Sequence, residues 1–189
     1  MNQKNKTLMK RIKSIVFYLI IILIGFGTFT LLMGQNSDYK DLISEKIKSY
    51  NPPRKDYVIV IDYKKSILSE RLYVIDVKTN EVVIKSKVSH AFNSGLFYPT
   101  DFSNVPGTNK SCYGSFFTGS TVYGKFGYSM WVHGQDRGIN NNACSRAIIF
   151  HPDTKMKTIW SAGCFATSEE NNKKIIDLTK NGCLVIVLK

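Results

Sequence analysis

Twenty consecutive residues, Ser14 to Met33, carry no charge and are dominated by Ile, Leu, Phe and Val. At about 1.5 Å rise per residue such a stretch is about 30 Å long as a helix, one bilayer core. No other feature constrains the chain as much, because whatever follows Met33 must then fold while tethered to a membrane. The thirteen residues ahead of it hold Lys4, Lys6, Lys10, Arg11 and Lys13 and no acid. The positive-inside rule therefore predicts a cytoplasmic tail over residues 1–13 and export of everything after Met33. A secretory h-region is about 7–15 residues long and ends in small residues. This run is longer and closes on Leu31, Leu32 and Met33, so an uncleaved transmembrane signal anchor over 14–33 is the expectation.

The chain of 189 residues leaves room for one ordinary domain beyond the anchor. Its net charge is +12, of which the five N-terminal cations supply five, leaving +7 for the rest. That residual bias suits an anionic surface. No aromatic-basic motif of a nucleic-acid binder is present, so nucleic acid is not an expected partner.

Residues 34–53 read as a stalk with one short helix, capped at Ser37 or Asp38 and stopped by Asn51-Pro52-Pro53. Residues 54–189 read as a single mainly β domain, a sandwich or barrel with one principal helix. Tyr57-Val-Ile-Val-Ile-Asp62 is a nearly continuous apolar run. Arg71–Val77 and Val82–Val88 flank a short turn at Lys78–Glu81 and predict a hairpin. Short strands are expected at 113–118, 120–124, 128–133 and 146–151, with the polar loop 134–145 between the last two. Thr167-Ser-Glu-Glu170 has the capping-box pattern, Ile175, Ile176 and Leu178 form a core-facing stripe, and Asn181-Gly182 ends the helix. Cys183–Leu188 is a closing buried strand.

Of the four cysteines, Cys183 opens an apolar strand and reads as a core residue. An even count in an exported chain suggests disulfides, and their loop contexts favour a Cys112–Cys144 pair among the three connectivities. Cys164 lies just ahead of the capped helix, where unsatisfied N–H groups and the helix dipole would lower a thiol pKa. Gly163 beside it permits the close backbone approach an oxyanion hole needs. His151 ends a strand with twelve residues between it and Cys164, within reach as a general base. His90 and His133 are the other histidines; the first reads as positional or substrate-lining and the second as incidental. Arg146 shares the expected strand of His151 five residues earlier and so points to the opposite face, unless a bulge turns it to the cleft. Binding a substrate carboxylate and a structural role both stay open for it. No paired C-x-x-C or H-x-x-x-H spacing marks a metal site.

Ile148-Ile-Phe-His151 followed by Ser161-Ala-Gly-Cys164 resembles the catalytic pattern of the murein L,D-transpeptidases of the YkuD-like family. Further segments agree in order, among them Arg71-Leu-Tyr-Val-Ile-Asp76, Val88-Ser-His-Ala-Phe-Asn-Ser-Gly95 and Gly138-Ile-Asn-Asn-Asn-Ala143. The similarity covers about residues 57–188. Ala162 stands where relatives carry His or Trp, and Pro152 where a Gly is usual. The resemblance implies a Cys164 nucleophile with His151 as its base, Ser161 and Gly163 in support, and a backbone carbonyl orienting His151. It implies peptidoglycan stem peptides as substrate, a thioester intermediate, no cofactor, and an extracytoplasmic catalytic domain acting as a monomer. Two rivals remain. A sortase-like transpeptidase would need an Arg after its Cys, and none follows Cys164. A non-catalytic wall-binding or scaffolding module could keep the same fold.

Overall fold

The structure, a computed structural model, describes residues 11, 13–22, 39–153 and 160–189. The chain divides between Asp41 and Leu42 into two units. In the first, residues 13–22 are helical, while 23–33 of the expected anchor lie outside the described residues. Among the described residues no helix is long and apolar enough to cross a membrane.

Helix α1 occupies residues 39–50. Its part in the second unit is docked, not a free stalk: Ile43 is buried, and the Tyr50 hydroxyl donates to Asp136. Asn51 at φ 47° then turns the chain before the two prolines.

The strands of the second unit are β1 (Tyr57–Asp62), β2 (Leu72–Asp76), β3 (Glu81–Ser86), β4 (His90–Ala91), β5 (Gly114–Gly124), β6 (Gly127–Gly134), β7 (Ile149–Pro152), β8 (Trp160–Ser161), β9 (Phe165–Thr167) and β10 (Leu184–Leu188). Helix α2 spans Glu169–Thr179 between the last two strands. Eight of the strands form one sheet in the order β3-β2-β1-β10-β5-β6-β7-β9, and β4 pairs with β8 alone. β1 and β10 are central and parallel to each other, which is why both read as uninterrupted apolar runs. Ile59, Ile61, Val185 and Val187 meet Phe116, Met130, Phe150 and Phe165 in one core, sealed by Ile175 and Ile176 of α2. The chain leaving β3 reaches the far end of the sheet: Ser89 N donates to Ala166 O at 2.9 Å. Asn171 of α2 also donates to Ser86 at 3.0 Å, so the two ends are bridged and the sheet curls almost into a barrel.

The mainly β expectation and the hairpin hold; several boundaries move for identifiable reasons. β3 stops at Ser86 because the Val88 carbonyl is taken by the Arg71 guanidinium at 2.8 and 3.0 Å. The two short strands expected over 113–124 are one strand with a register shift between Thr118 and Thr121. β7 begins only at Ile149, since Ala147 at φ 55° breaks any extension through Arg146. Thr167 closes β9, so the cap passes to Ser168, whose hydroxyl accepts from Asn171 N. At the other end of α2, Gly182 sits at φ 110° with Pro53 so close that a Cβ would lie 2.7 Å from it. Arg54 donates to the carbonyls of Leu178 and Lys180, satisfying the last turn.

The expected Cys112–Cys144 disulfide is not formed: all four cysteines are free thiols. Ser111 bonds the backbone of Ala91 and the Ser94 hydroxyl, which draws the segment inward and buries Cys112 in the core, whereas Cys144 is exposed.

Candidate active site

β7 and β9 run parallel, with Phe150 opposite Phe165 and His151 opposite Ala166. Both phenylalanines are fully buried, their ring centroids 4.9 Å apart. Alternation along the strands therefore sends Ile149 and His151 to the other face, and the same register puts Cys164 beside Ile149. Cys164 itself stands just ahead of β9, in the turn between β8 and β9. The Cys164 thiol donates to the Ala147 carbonyl at 3.5 Å.

The imidazole is fixed on two sides. Its Nδ1 lies 3.0 Å from the Pro152 carbonyl oxygen, and a carbonyl can only accept, so Nδ1 carries the proton and Nε2 presents a lone pair. Phe126, from the turn between β5 and β6, stacks on the ring with centroids 4.4 Å apart and planes at 24°. His151 is 6% exposed, and this burial lowers its pKa from the ordinary histidine value.

Cys164 departs from the sequence reading in its electrostatics. The whole of β9 separates it from the first turn of α2, so the helix terminus is not at the thiol. Burial instead raises its pKa above that of a free cysteine; a hydrogen bond from the Ile149 backbone and the charges of Arg146 and Lys125 pull the other way. Burial thus works against charge on both groups and disfavours a resting thiolate–imidazolium pair.

The turn that carries the thiol is held by serines. Ser161 Oγ donates to the Cys164 carbonyl at 2.8 Å and accepts from Gly163 N at 3.1 Å. Ser89 Oγ donates to the same carbonyl at 3.1 Å and accepts from Ala166 N at 2.9 Å. Ser161 thus organises the thiol's backbone and does not orient His151. Gly163 spends its N–H on Ser161, and its φ of 129° is a conformation open to glycine.

Arg146, lying off the strand, has no alternation relation to His151. Its guanidinium donates to the carbonyls of Ser103 and Lys110, both at 2.5 Å, and straps the 103–111 segment beneath Gly163. His90 touches no surface. It is 0% exposed, accepts from Arg71 at Nδ1 and donates from Nε2 to the Gly95 carbonyl, both at 2.8 Å, so neither ring nitrogen is open to a substrate. His133 is exposed on β6, away from these contacts. Among the described residues no group of three His, Cys, Asp or Glu side chains is placed to hold a metal ion.

Three contributors escaped the sequence reading. Ser89 was masked by its neighbour His90, and Phe126 sits in a Gly-Lys-Phe-Gly turn whose target is 25 positions away in the chain. Arg71 did leave a signal, a cation heading an otherwise apolar strand.

A thiol and a tautomer-fixed imidazole on one face of a mainly β sheet are the equipment of covalent acyl transfer. Residues 36–188 match the L,D-transpeptidase catalytic domain family, and the chain belongs to that family. No curated protein matches the chain. Among solved structures, it is similar to an L,D-transpeptidase from Mycobacterium smegmatis at 14% identity and a TM-score of 0.44, covering 71% of this chain and 59% of that one. An Enterococcus faecium L,D-transpeptidase gives 14%, 0.44, 71% and 50% for the same quantities. The helical cell-shape-determining protein of Campylobacter jejuni gives 13%, 0.47, 78% and 53%. The chain thus spans between half and three fifths of the length of these proteins.

Proposed function

We propose that the protein is a membrane-anchored cysteine L,D-transpeptidase acting on peptidoglycan stem peptides. The observation that supports this reading is the pairing of β7, which carries His151, with β9, which Cys164 precedes, together with the Nδ1 contact to the Pro152 carbonyl that leaves Nε2 free to act as a base. In the first half-reaction Nε2 takes the thiol proton as the sulfur attacks the carbonyl of the third stem residue. This proton moves during attack, a step of general base catalysis contributing about 10²- to 10⁴-fold. The tetrahedral adduct expels D-Ala, whose nitrogen receives the proton from His151, and a thioester remains. An acceptor amine then attacks the thioester and gives its proton to His151; the C–S bond breaks, His151 returns the proton to the Cys164 sulfur, and a 3→3 cross-link is formed, while water in place of the amine gives carboxypeptidase trimming. No cofactor enters this scheme.

The anchor belongs to the same proposal. The five N-terminal cations and the uncharged span 14–33 support a cytoplasmic N-terminus with the catalytic unit outside the cytoplasm. A periplasmic reporter fused after Lys189 should be active, and activity of a cytoplasm-only reporter there would overturn the orientation.

The chemistry is tested on the full-length protein. Cys164→Ser and His151→Ala should each abolish release of D-Ala from a tetrapeptide, with little further loss in the double variant. A carbapenem should add its mass to Cys164. Unchanged D-Ala release by Cys164→Ser would refute the thiol mechanism, and a chain that neither turns over nor takes the adduct would be a wall-binding module.

A further inference from the structure

The turn between β5 and β6 brings a second side chain to the site besides Phe126. Lys125 is exposed, and its Nζ lies 4.8 Å from the centroid of the Phe126 ring that stacks on His151. Ammonium and imidazole are thus both within van der Waals reach of one phenyl ring. The same turn forms one wall of a groove of about 760 Å³, which continues past Pro152 to the first turns of α2. Two other cations of the groove are already matched: Lys173 to Asp177 at 2.6 Å and Lys174 to Glu170 at 2.7 Å. Glu169, on the first turn of α2, lies at the positive end of that helix. Lys125 has no carboxylate partner among the described residues.

The reaction itself says which side of the thiol this is. The leaving nitrogen must receive its proton from His151, so the departing residue lies against the imidazole, on the side walled by Phe126 and Lys125. Its carboxylate is three covalent bonds beyond the scissile carbonyl carbon, about 4 Å away. Arg146, the other cation near the thiol among the described residues, is held by two backbone carbonyls beneath Gly163. We propose that Lys125 binds the terminal carboxylate of the leaving residue of the donor stem peptide. This rests on the assignment of Cys164 and His151 above.

The full-length Cys164→Ala variant, which cannot turn over, allows binding to be read directly. Calorimetry is done with a tetrapeptide ending in a free carboxylate and with the same peptide amidated at its C-terminus. The acid should bind about 10- to 100-fold more tightly, the range expected for a hydrogen bond to a charged group. Adding Lys125→Met should erase that preference, while Lys125→Arg should keep most of it. Rising salt should weaken the acid alone. Equal affinity for acid and amide, no binding of either, or a preference that survives Lys125→Met would overturn the assignment. An equal loss for both peptides on Lys125→Met would do so too, by showing a role in folding or in the general field of the site. Failure of the thiol mechanism would appear separately, as D-Ala release retained by Cys164→Ser.

Discussion

Replacing Gly163 by Ala puts the geometry of the thiol turn under direct test. At φ 129° a side chain is strained wherever it points, at a cost of about 1–3 kcal/mol. The added Cβ would also lie 2.9 Å from Ile148 Cδ1 and 3.2 Å from the Lys110 carbonyl oxygen. Ile148 is fully buried and the Lys110 carbonyl is held by Arg146, so neither neighbour yields freely. Overpacking of this kind costs about a further 1–3 kcal/mol. The loss of stability should be about 2–6 kcal/mol, read as the urea midpoint of the full-length protein followed by tryptophan fluorescence. For a unit of this size that corresponds to a fall in Tm of about 4–24 °C. Relief by backbone movement would displace the adjacent Cys164, and small misplacements of a reacting group cost about tenfold to a hundredfold in rate. Alkylation of Cys164 and release of D-Ala should therefore both slow. If Gly163→Ala unfolds within about 0.5 kcal/mol of the parent and is alkylated at the same rate, the positive φ is not what holds the nucleophile, and the reasoning fails.

Arg71→Met should cost about 3–5 kcal/mol in a urea titration, since it strands the buried Val88 carbonyl and the buried His90 ring and also loses the bond to the Lys65 carbonyl; a loss under about 1 kcal/mol would contradict that. His90 has its pKa lowered to about 4, by burial first and by the Arg71 charge as well, against about 6.5 in an unfolded chain. The unfolded chain then binds the extra proton between these values, so this group's stabilisation is complete above about pH 6.5 and disappears as the pH falls towards 4. His90→Gln should flatten that part of the Tm–pH curve, and an unchanged curve would assign the acid loss to other groups. For Cys164, the pH at which alkylation is half-maximal should lie above that of a free cysteine because burial raises its pKa; a midpoint below 7 would mean a preformed ion pair with His151.

Sequence alone went far on whatever local periodicity encodes. The runs at 58–61 and 184–187 announced central strands because a strand covered on both faces has no polar position to alternate with. The Ile175 and Ile176 stripe, with the hydroxyl cap ahead of it and Asn181-Gly182 behind, announced α2. The order of His151, Gly163 and Cys164 was likewise present in the chain, because nucleophile, base and the flexible residue beside them must be written there.

Tertiary structure decided what those residues are to one another. A one-residue slip between β7 and β9 would have put His151 and Cys164 on opposite faces, and nothing local in either segment fixes that register. Ala147 in a left-handed conformation took Arg146 off the strand, and Phe126 found His151 across 25 positions of chain. The thiol pKa even changed direction: proximity in sequence to a helix start argued for lowering, while the intervening strand and burial of the site raise it. Periodicity reports which face of an element is buried. Which elements then meet, and how far water is kept from a charge, depends on packing summed over the whole core, and only the folded chain carries out that sum.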